Sequence, residues 1–319
     1  MKKCLFSMFA LATLLFVASC SQEDEFSAAN GNETEFAFTV ELPEGIATRA
    51  IGDGTTVDVV ACAVFDAKGN ELKNLRDNEL EISGKKAVYK VRLAKGQAYR
   101  AVFFAYDRDA DAYDITDMKN IKVKPNQKSN VEGRDAFTAF TVITKEQSLS
   151  PINREVELFR PFAQLNFGSL VEDTEAAADA GVVVKNTKVV VTGVYTAFNA
   201  YSDIVTGGTE EMTFAFNAIP NQKLEANAKE YDYLAMNYLL VGDRTAEKSL
   251  TDVKFYWETA DGKYNDPVTV FENVPVQRNY RTNIIGYLLT NPAEFTLVVK
   301  EGFENPDYDE VYGENGSKL

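Results

Sequence analysis

Along residues 35–42 large apolar side chains alternate with small or polar ones, so that Phe36, Phe38, Val40 and Leu42 share one face and Ala37, Thr39 and Glu41 the other. A period of two predicts a strand with one buried face. Pro43 has no N–H for a ladder bond and ends the strand, and residues 43–56 read as a Gly-punctuated loop that carries Thr48-Arg49-Ala50. Exposed loops of this kind are where proteases cut. The alternation returns in short runs at 57–66, 79–83, 87–93, 120–123 and 136–143, with turns at Lys68-Gly69-Asn70 and Gly84-Lys85. Residues 99–106 are apolar or aromatic almost throughout, which predicts an inner strand covered on both faces. Strands at about ten-residue spacing are the pattern of a β-sandwich.

A second series opens near Glu155. Residues 155–160 predict a strand, Pro161 breaks it, and Ala163-Gln164-Leu165-Asn166-Phe167 alternates again. Residues 172–180 predict a helix, with Glu172 and Asp173 in its first turn and Gly181 as its stop. Strands follow at 182–192, 212–218, 232–241, 253–259, 268–271, 280–289 and 295–300, with a hairpin turn at Asp261-Gly262. Trp257 alternates with Phe255 and Val253 and belongs in a core. The tail is acidic and broken by Gly302, Pro306, Gly313 and Gly316, a composition that predicts no packed structure. The whole reads as an all-β chain of two tandem sandwiches with one or two short helices, divided as 50–152 and 153–302 with an acidic tail at 303–319.

The amino terminus has a separate task. Lys2-Lys3 followed by the apolar run 5–18 has the form of a secretory signal, too short to span a bilayer. It closes on Val17-Ala18-Ser19-Cys20, which resembles a bacterial lipobox, so residues 1–19 are the expected signal and Cys20 the expected lipidated first residue. Residues 20–49 then form a tether plus a removable first strand, and Ser21-Gln22-Glu23-Asp24-Glu25 resembles the acidic export tag of Bacteroidetes surface lipoproteins.

Composition narrows the chemistry. A net charge of −15 works against nucleic-acid phosphates and anionic membrane surfaces. With three cysteines, of which Cys4 lies in the signal and Cys20 at its end, no disulfide framework is available, and Cys62 reads as a small buried hydrophobe. Histidine is absent, which removes histidine general bases, Ser-His-Asp and Cys-His arrangements and most zinc sites. Asp107-Arg108-Asp109-Ala110-Asp111 resembles the start of a calcium loop, but Ala112 stands where the turn needs glycine and Met118 where the bidentate acid belongs. No catalytic, cofactor or metal residue is therefore assigned, and the chain is not read as an enzyme.

Three pieces in this order resemble the fimbrillin superfamily of Bacteroidetes, the lipoprotein pilins of type V pili. They are Cys20 with the following strand and Thr48-Arg49-Ala50, then Arg160-Pro161-Phe162-Ala163-Gln164-Leu165-Asn166-Phe167, then Val276-Gln277-Arg278-Asn279-Tyr280-Arg281-Thr282-Asn283-Ile284. The resemblance implies transthyretin-like, Greek-key sandwiches and assembly by strand exchange. It further implies lipidation at Cys20 and maturation by an arginine-specific protease between Arg49 and Ala50. Phe36, Phe38, Val40 and Leu42 would then be the occupants of a donor groove. The partners it implies are other pilin subunits, the outer membrane through the lipid, and a host glycan or protein. The polar tail departs from the family, whose donor strands alternate apolar residues. The competing reading is a surface lipoprotein that binds glycan or host protein without polymerising.

Overall fold

The computed structural model describes residues 31–43, 52, 54–125, 127–226, 228–242, 249–292, 295–301 and 309–312. In the first half lie β1 (Glu33–Glu41), β2 (Val59–Asp66), β3 (Asp77–Glu81), β4 (Lys86–Ala94), β5 (Tyr99–Tyr106), β6 (Tyr113–Asp114), β7 (Ile121–Val123), β8 (Ala136–Ile143) and β9 (Ile152–Glu157). The second half holds β10 (Ala163–Ser169), α1 (Val171–Asp179), β11 (Val184–Asn199), β12 (Ile204–Ala218) and β13 (Lys223–Ala226). It continues with β14 (Lys229–Leu239), β15 (Ser249–Thr259), β16 (Thr269–Val276), β17 (Tyr280–Gly286), β18 (Phe295–Glu301) and β19 (Asp309–Tyr312). The architecture is all-β, as the alternation requires, and α1 is the one α-helix among the described residues. Its limits follow the sequence: Gly181 takes φ +79° just beyond it, a conformation that costs glycine little. Asp173 in its first turn is buried and accepts from the backbone N–H groups of Leu289 at 2.8 Å and Thr290 at 2.9 Å.

Four sheets stack into four layers. A three-stranded sheet, β4-β1-β9, covers one face of a four-stranded sheet, β3-β2-β5-β8. Phe36, Phe38, Val40, Cys62, Tyr89, Phe103 and Phe137 meet between them. The opposite face of that sheet, through Ala63, Phe65, Val102 and Phe104, packs on Tyr231, Tyr233, Met236 and Tyr238 of β14 and on Ile285 of β17. These belong to the sheet β13-β14-β10-β17-β18-β19, whose other face, with Leu165, Phe167 and Ile284, closes on the β16-β15-β11 sheet through Val189, Phe255 and Trp257. The middle core explains the unbroken apolar run of β5. Val102 and Phe104 point into one core and Ala101, Phe103 and Ala105 into the other.

Two features cross the division at 152/153 that the sequence predicts. Both residues lie in β9, which pairs in parallel with β1, so this strand completes the first sandwich and the second series opens at β10. In the other direction the long β11–β12 hairpin reaches back over the first half. Ala197 and Phe198 pair with Lys122 and Ile121 of β7. Beyond them the Ala200 N–H donates to the Met118 carbonyl at 2.9 Å, and the Tyr201 ring meets the edge of Phe65 at 4.9 Å. Arg100 donates to the Tyr201 carbonyl, and within the second half Arg278 holds the hairpin tip by donating to the carbonyl of Asp203 at 3.0 Å and to its carboxylate.

Candidate functional site

β1 is the centre of its sheet. It runs antiparallel to β4 from Glu33↔Ala94 to Glu41↔Lys86, and parallel to β9 from Phe36↔Ile152 to Glu41↔Glu157. Just past its end the Leu42 N–H donates to the Lys85 carbonyl at 3.0 Å, and the Leu158 N–H donates to the Glu41 carbonyl at 2.9 Å. From Phe36 to Glu41 both flanks are paired, so this part of the strand leaves its carbonyls and N–H groups no edge to solvent. A row of nine residues without glycine or proline, β-branched or aromatic on the inner face, suits such a position.

Side chains on the inner face seat deeply. Phe36, Phe38 and Val40 are at most 1% exposed, and Leu42 is 7% exposed near the rim. Phe38 stacks on Phe36 with ring centroids 5.9 Å apart and contacts Phe103 at 5.7 Å and Tyr89 at 6.3 Å. Tyr89 and Phe103 themselves meet edge to face at 6.1 Å. At the start of the strand the buried Thr34 hydroxyl donates to the Ser148 carbonyl at 2.8 Å. On the half-buried outer face Glu35 pairs with Arg92 at 3.5 Å and Glu41 with Lys86. Burying four large apolar side chains contributes at most about 6 to 12 kcal/mol, against about 5 to 15 kcal/mol for the net stability of a whole domain.

Gly52 is pinned. Its carbonyl accepts from Arg160 Nη2 at 2.7 Å and from Arg281 Nη2 at 3.4 Å. Gly52 takes φ +81°, and a Cβ there would lie 2.3 Å from Gln164 Nε2 and 2.8 Å from the Tyr238 hydroxyl. Arg160 is itself held by Asp135 through Nε and Nη2, beneath the ring of Phe137 at 4.4 Å. Burial pushes the Asp135 carboxyl above its ordinary range while Arg160 pulls it back. Burial likewise lowers the Arg281 guanidinium.

Sequence reasoning missed this group. Arg134, Arg160 and Arg278 are among the largest fully buried side chains of the protein. The signal was available in Arg160-Pro161-Phe162 and in the alternation of Arg281 with Asn283, where a charge falls on the same strand face as residues that must be covered on both sides.

Cys20, Arg49 and Ala50 lie outside the described residues. Cys62 is a buried free thiol whose pKa burial pushes well above the ordinary value, which suits an inert core residue. The acidic run at 107–111 is a capped turn. The Asp107 carboxylate accepts from the N–H groups of Asp109 at 2.9 Å and Ala110 at 3.2 Å, Asp111 pairs with Lys124, and Met118 is fully buried. Among the described residues no cluster of acidic, cysteine or histidine side chains has the grouping to hold a metal ion. A cavity of about 440 Å³ lies between α1 and β14, lined by Thr174, Ala178, Val183, Ile219, Leu234 and Leu289. No helix among the described residues is long and apolar enough to cross a membrane.

Comparison with solved structures finds distant likenesses. A Bacteroides ovatus protein described as a proposed adhesin is 12% identical, with a TM-score of 0.47 over 88% of this chain and 95% of its own. A Bacteroides thetaiotaomicron protein described as a proposed polysaccharide-binding protein (DUF1812) is 14% identical, with a TM-score of 0.46 over 79% of this chain and 90% of its own. A fimbrial assembly protein from Parabacteroides distasonis is 14% identical, with a TM-score of 0.40 over 88% of this chain and 99% of its own. No curated protein matches the chain. A family model does match, over residues 27–316, and by that match the chain belongs to the family described as "Family of unknown function (DUF6562)".

Proposed function

We propose that this protein is a cell-surface fimbrial subunit or adhesin that assembles by strand complementation. In this reading Cys20 carries the lipid that holds the chain to the outer membrane, and an arginine-specific protease cuts between Arg49 and Ala50. The segment bearing β1 then gives way to a strand from a neighbouring subunit. Binding of this kind draws affinity from main-chain hydrogen bonds and specificity from side-chain pockets.

The single observation that supports it is the position of β1: a central strand, first among the described residues, paired on both sides and anchored by Phe36, Phe38, Val40 and Leu42. Loss of a central strand opens a groove with two unpaired edges and an apolar floor, which must be refilled or aggregate. The Arg160 and Arg281 contacts to Gly52 fasten the chain just downstream of the cut, so the remainder of the sandwich would stay in place.

Size-exclusion chromatography of the chain treated with an arginine-specific protease, alone and with candidate donor subunits, tests this reading. Higher assemblies that form only after cleavage, and not from an Arg49→Ala chain, are expected. Co-elution of nicked and intact chains as monomers with β1 retained would leave the non-polymerising surface lipoprotein, with a glycan or host protein as its ligand, as the better account.

A further inference from the structure

The seat of β1 constrains what can replace it. Resting on the exchange reading above, we infer that the groove accepts an extended segment of a different polypeptide. That segment carries an aromatic side chain at the position of Phe38 and an acid facing Arg92, a pattern that residues 301–319 of this chain do not supply.

The aromatic requirement comes from the floor. Phe38 lies against Phe103 at 5.7 Å and Tyr89 at 6.3 Å between ring centroids, both on the strands that would remain, and it is fully buried. An aliphatic side chain there would leave part of the ring-shaped space empty, and cavities of that kind are costly. The requirement for an acid comes from the rim. On the β4 side the outward residues are Lys86, Val88, Lys90, Arg92 and Ala94, exposed or half-buried, and the charged ones are all cationic. On the β9 side they are Asn153, Glu155 and Glu157, all exposed. Opposite Glu41 the two rims offer Lys86 and Glu157, which oppose each other in sign, so charge selects weakly there. Opposite Glu35 the strand pairing comes from β4, because the pairing with β9 begins at Phe36, and Arg92 is the charge that Glu35 meets there, at 3.5 Å.

This chain's own tail does not meet the pattern. Beyond Glu301 one alternating set runs Tyr308, Glu310, Tyr312 and the other Asp309, Val311, Gly313, with Pro306 upstream. Neither gives four successive apolar positions, and Asp309–Tyr312 is already the edge strand β19, paired with β18 from Lys300↔Asp309 to Leu297↔Tyr312. The short, acidic edge it forms discourages further pairing.

The test is displacement of the resident strand from the full chain cut after Arg49, followed by mass spectrometry, with synthetic peptides offered in trans. A peptide of residues 31–43 is expected to enter. Its Phe38→Ala form should enter about 100-fold more weakly and its Glu35→Lys form about fivefold more weakly, while a peptide of residues 301–319 should not enter. Entry of the tail peptide, or equal entry of the Phe38→Ala peptide, overturns the donor assignment while leaving exchange intact. Failure of the 31–43 peptide itself to enter overturns the exchange reading and the donor assignment together.

Discussion

Arg160 and Asp135 form a two-pronged ion pair shielded from water: Nε lies 2.8 Å from Oδ1 and Nη2 lies 2.7 Å from Oδ2, with the side chains 2% and 1% exposed. Such a pair stabilises little against an apolar replacement, yet breaking it is expensive because one charge stays behind. Asp135→Asn should therefore cost about 3 to 5 kcal/mol in urea denaturation, whereas the double change Asp135→Leu with Arg160→Met should recover most of that loss. Equal losses in the two variants would show that the Arg160 contact to Gly52, rather than the pair, dominates.

Phe38 and Trp257 lie in different cores, the outer core of the first sandwich and that of the second. Phe38→Ala should cost about 3 to 5 kcal/mol. Because the middle core and the β7–β11 pairing join the halves, the loss should appear in the fluorescence of Trp257, the single tryptophan, as fully as in far-ultraviolet circular dichroism. A Trp257 transition left unshifted would mean that the sandwiches unfold independently.

Gly52→Ala combines a left-handed backbone with a blocked Cβ. It should cost about 2 to 4 kcal/mol by thermal denaturation. Gly193 has a similar φ of +74° but open space around it, so Gly193→Ala should cost only about 1 kcal/mol. Equal penalties would remove the packing contribution assigned to Gln164 and Tyr238.

Burial raises the hydroxyls of Tyr113, Tyr233 and Tyr238 above the ordinary value of 10.0. A raised pKa in the folded state means that the proton is held more tightly there than in the unfolded chain, so stability is unaffected below pH 10 and falls as the pH climbs above it. Tyrosinate absorbance should rise in two stages, the accessible hydroxyls first and these three, with the similarly raised Tyr89 of the outer core, only with unfolding. A single smooth titration, with folding intact, would contradict the enclosure of these hydroxyls.

The strand pattern was legible where one face is wet. β1 and β4 follow from alternation, and α1 follows from Glu172, Asp173 and Gly181, because each of these cues acts within a few residues. Partner choice was not legible. Nothing local to Ile152-Asn153-Arg154-Glu155-Val156-Glu157 announces that it will lie parallel to β1, more than a hundred positions earlier, and a Pro on either side made it look like the start of something new. β11 and β12 extend well beyond the predicted 182–192 and 212–218, because Gly193, Gly207 and Gly208 suggested ends where the structure places irregular register. For the candidate site, the apolar face of β1 was readable, while the buried arginines around Gly52 were not. A guanidinium carries no pattern that distinguishes a solvated surface from a seam whose second wall comes from a distant part of the chain.

The two-sided pairing of β1 also decides how the molecule bears tension. A pull applied at the amino-terminal end of this strand runs along its axis, so the hydrogen bonds to β4 and to β9 are loaded together in shear instead of parting one after another. Forced rupture is then governed by a rate and not by equilibrium stability, and a chain held by its upstream segment would hang as from a tongue clamped between two plates.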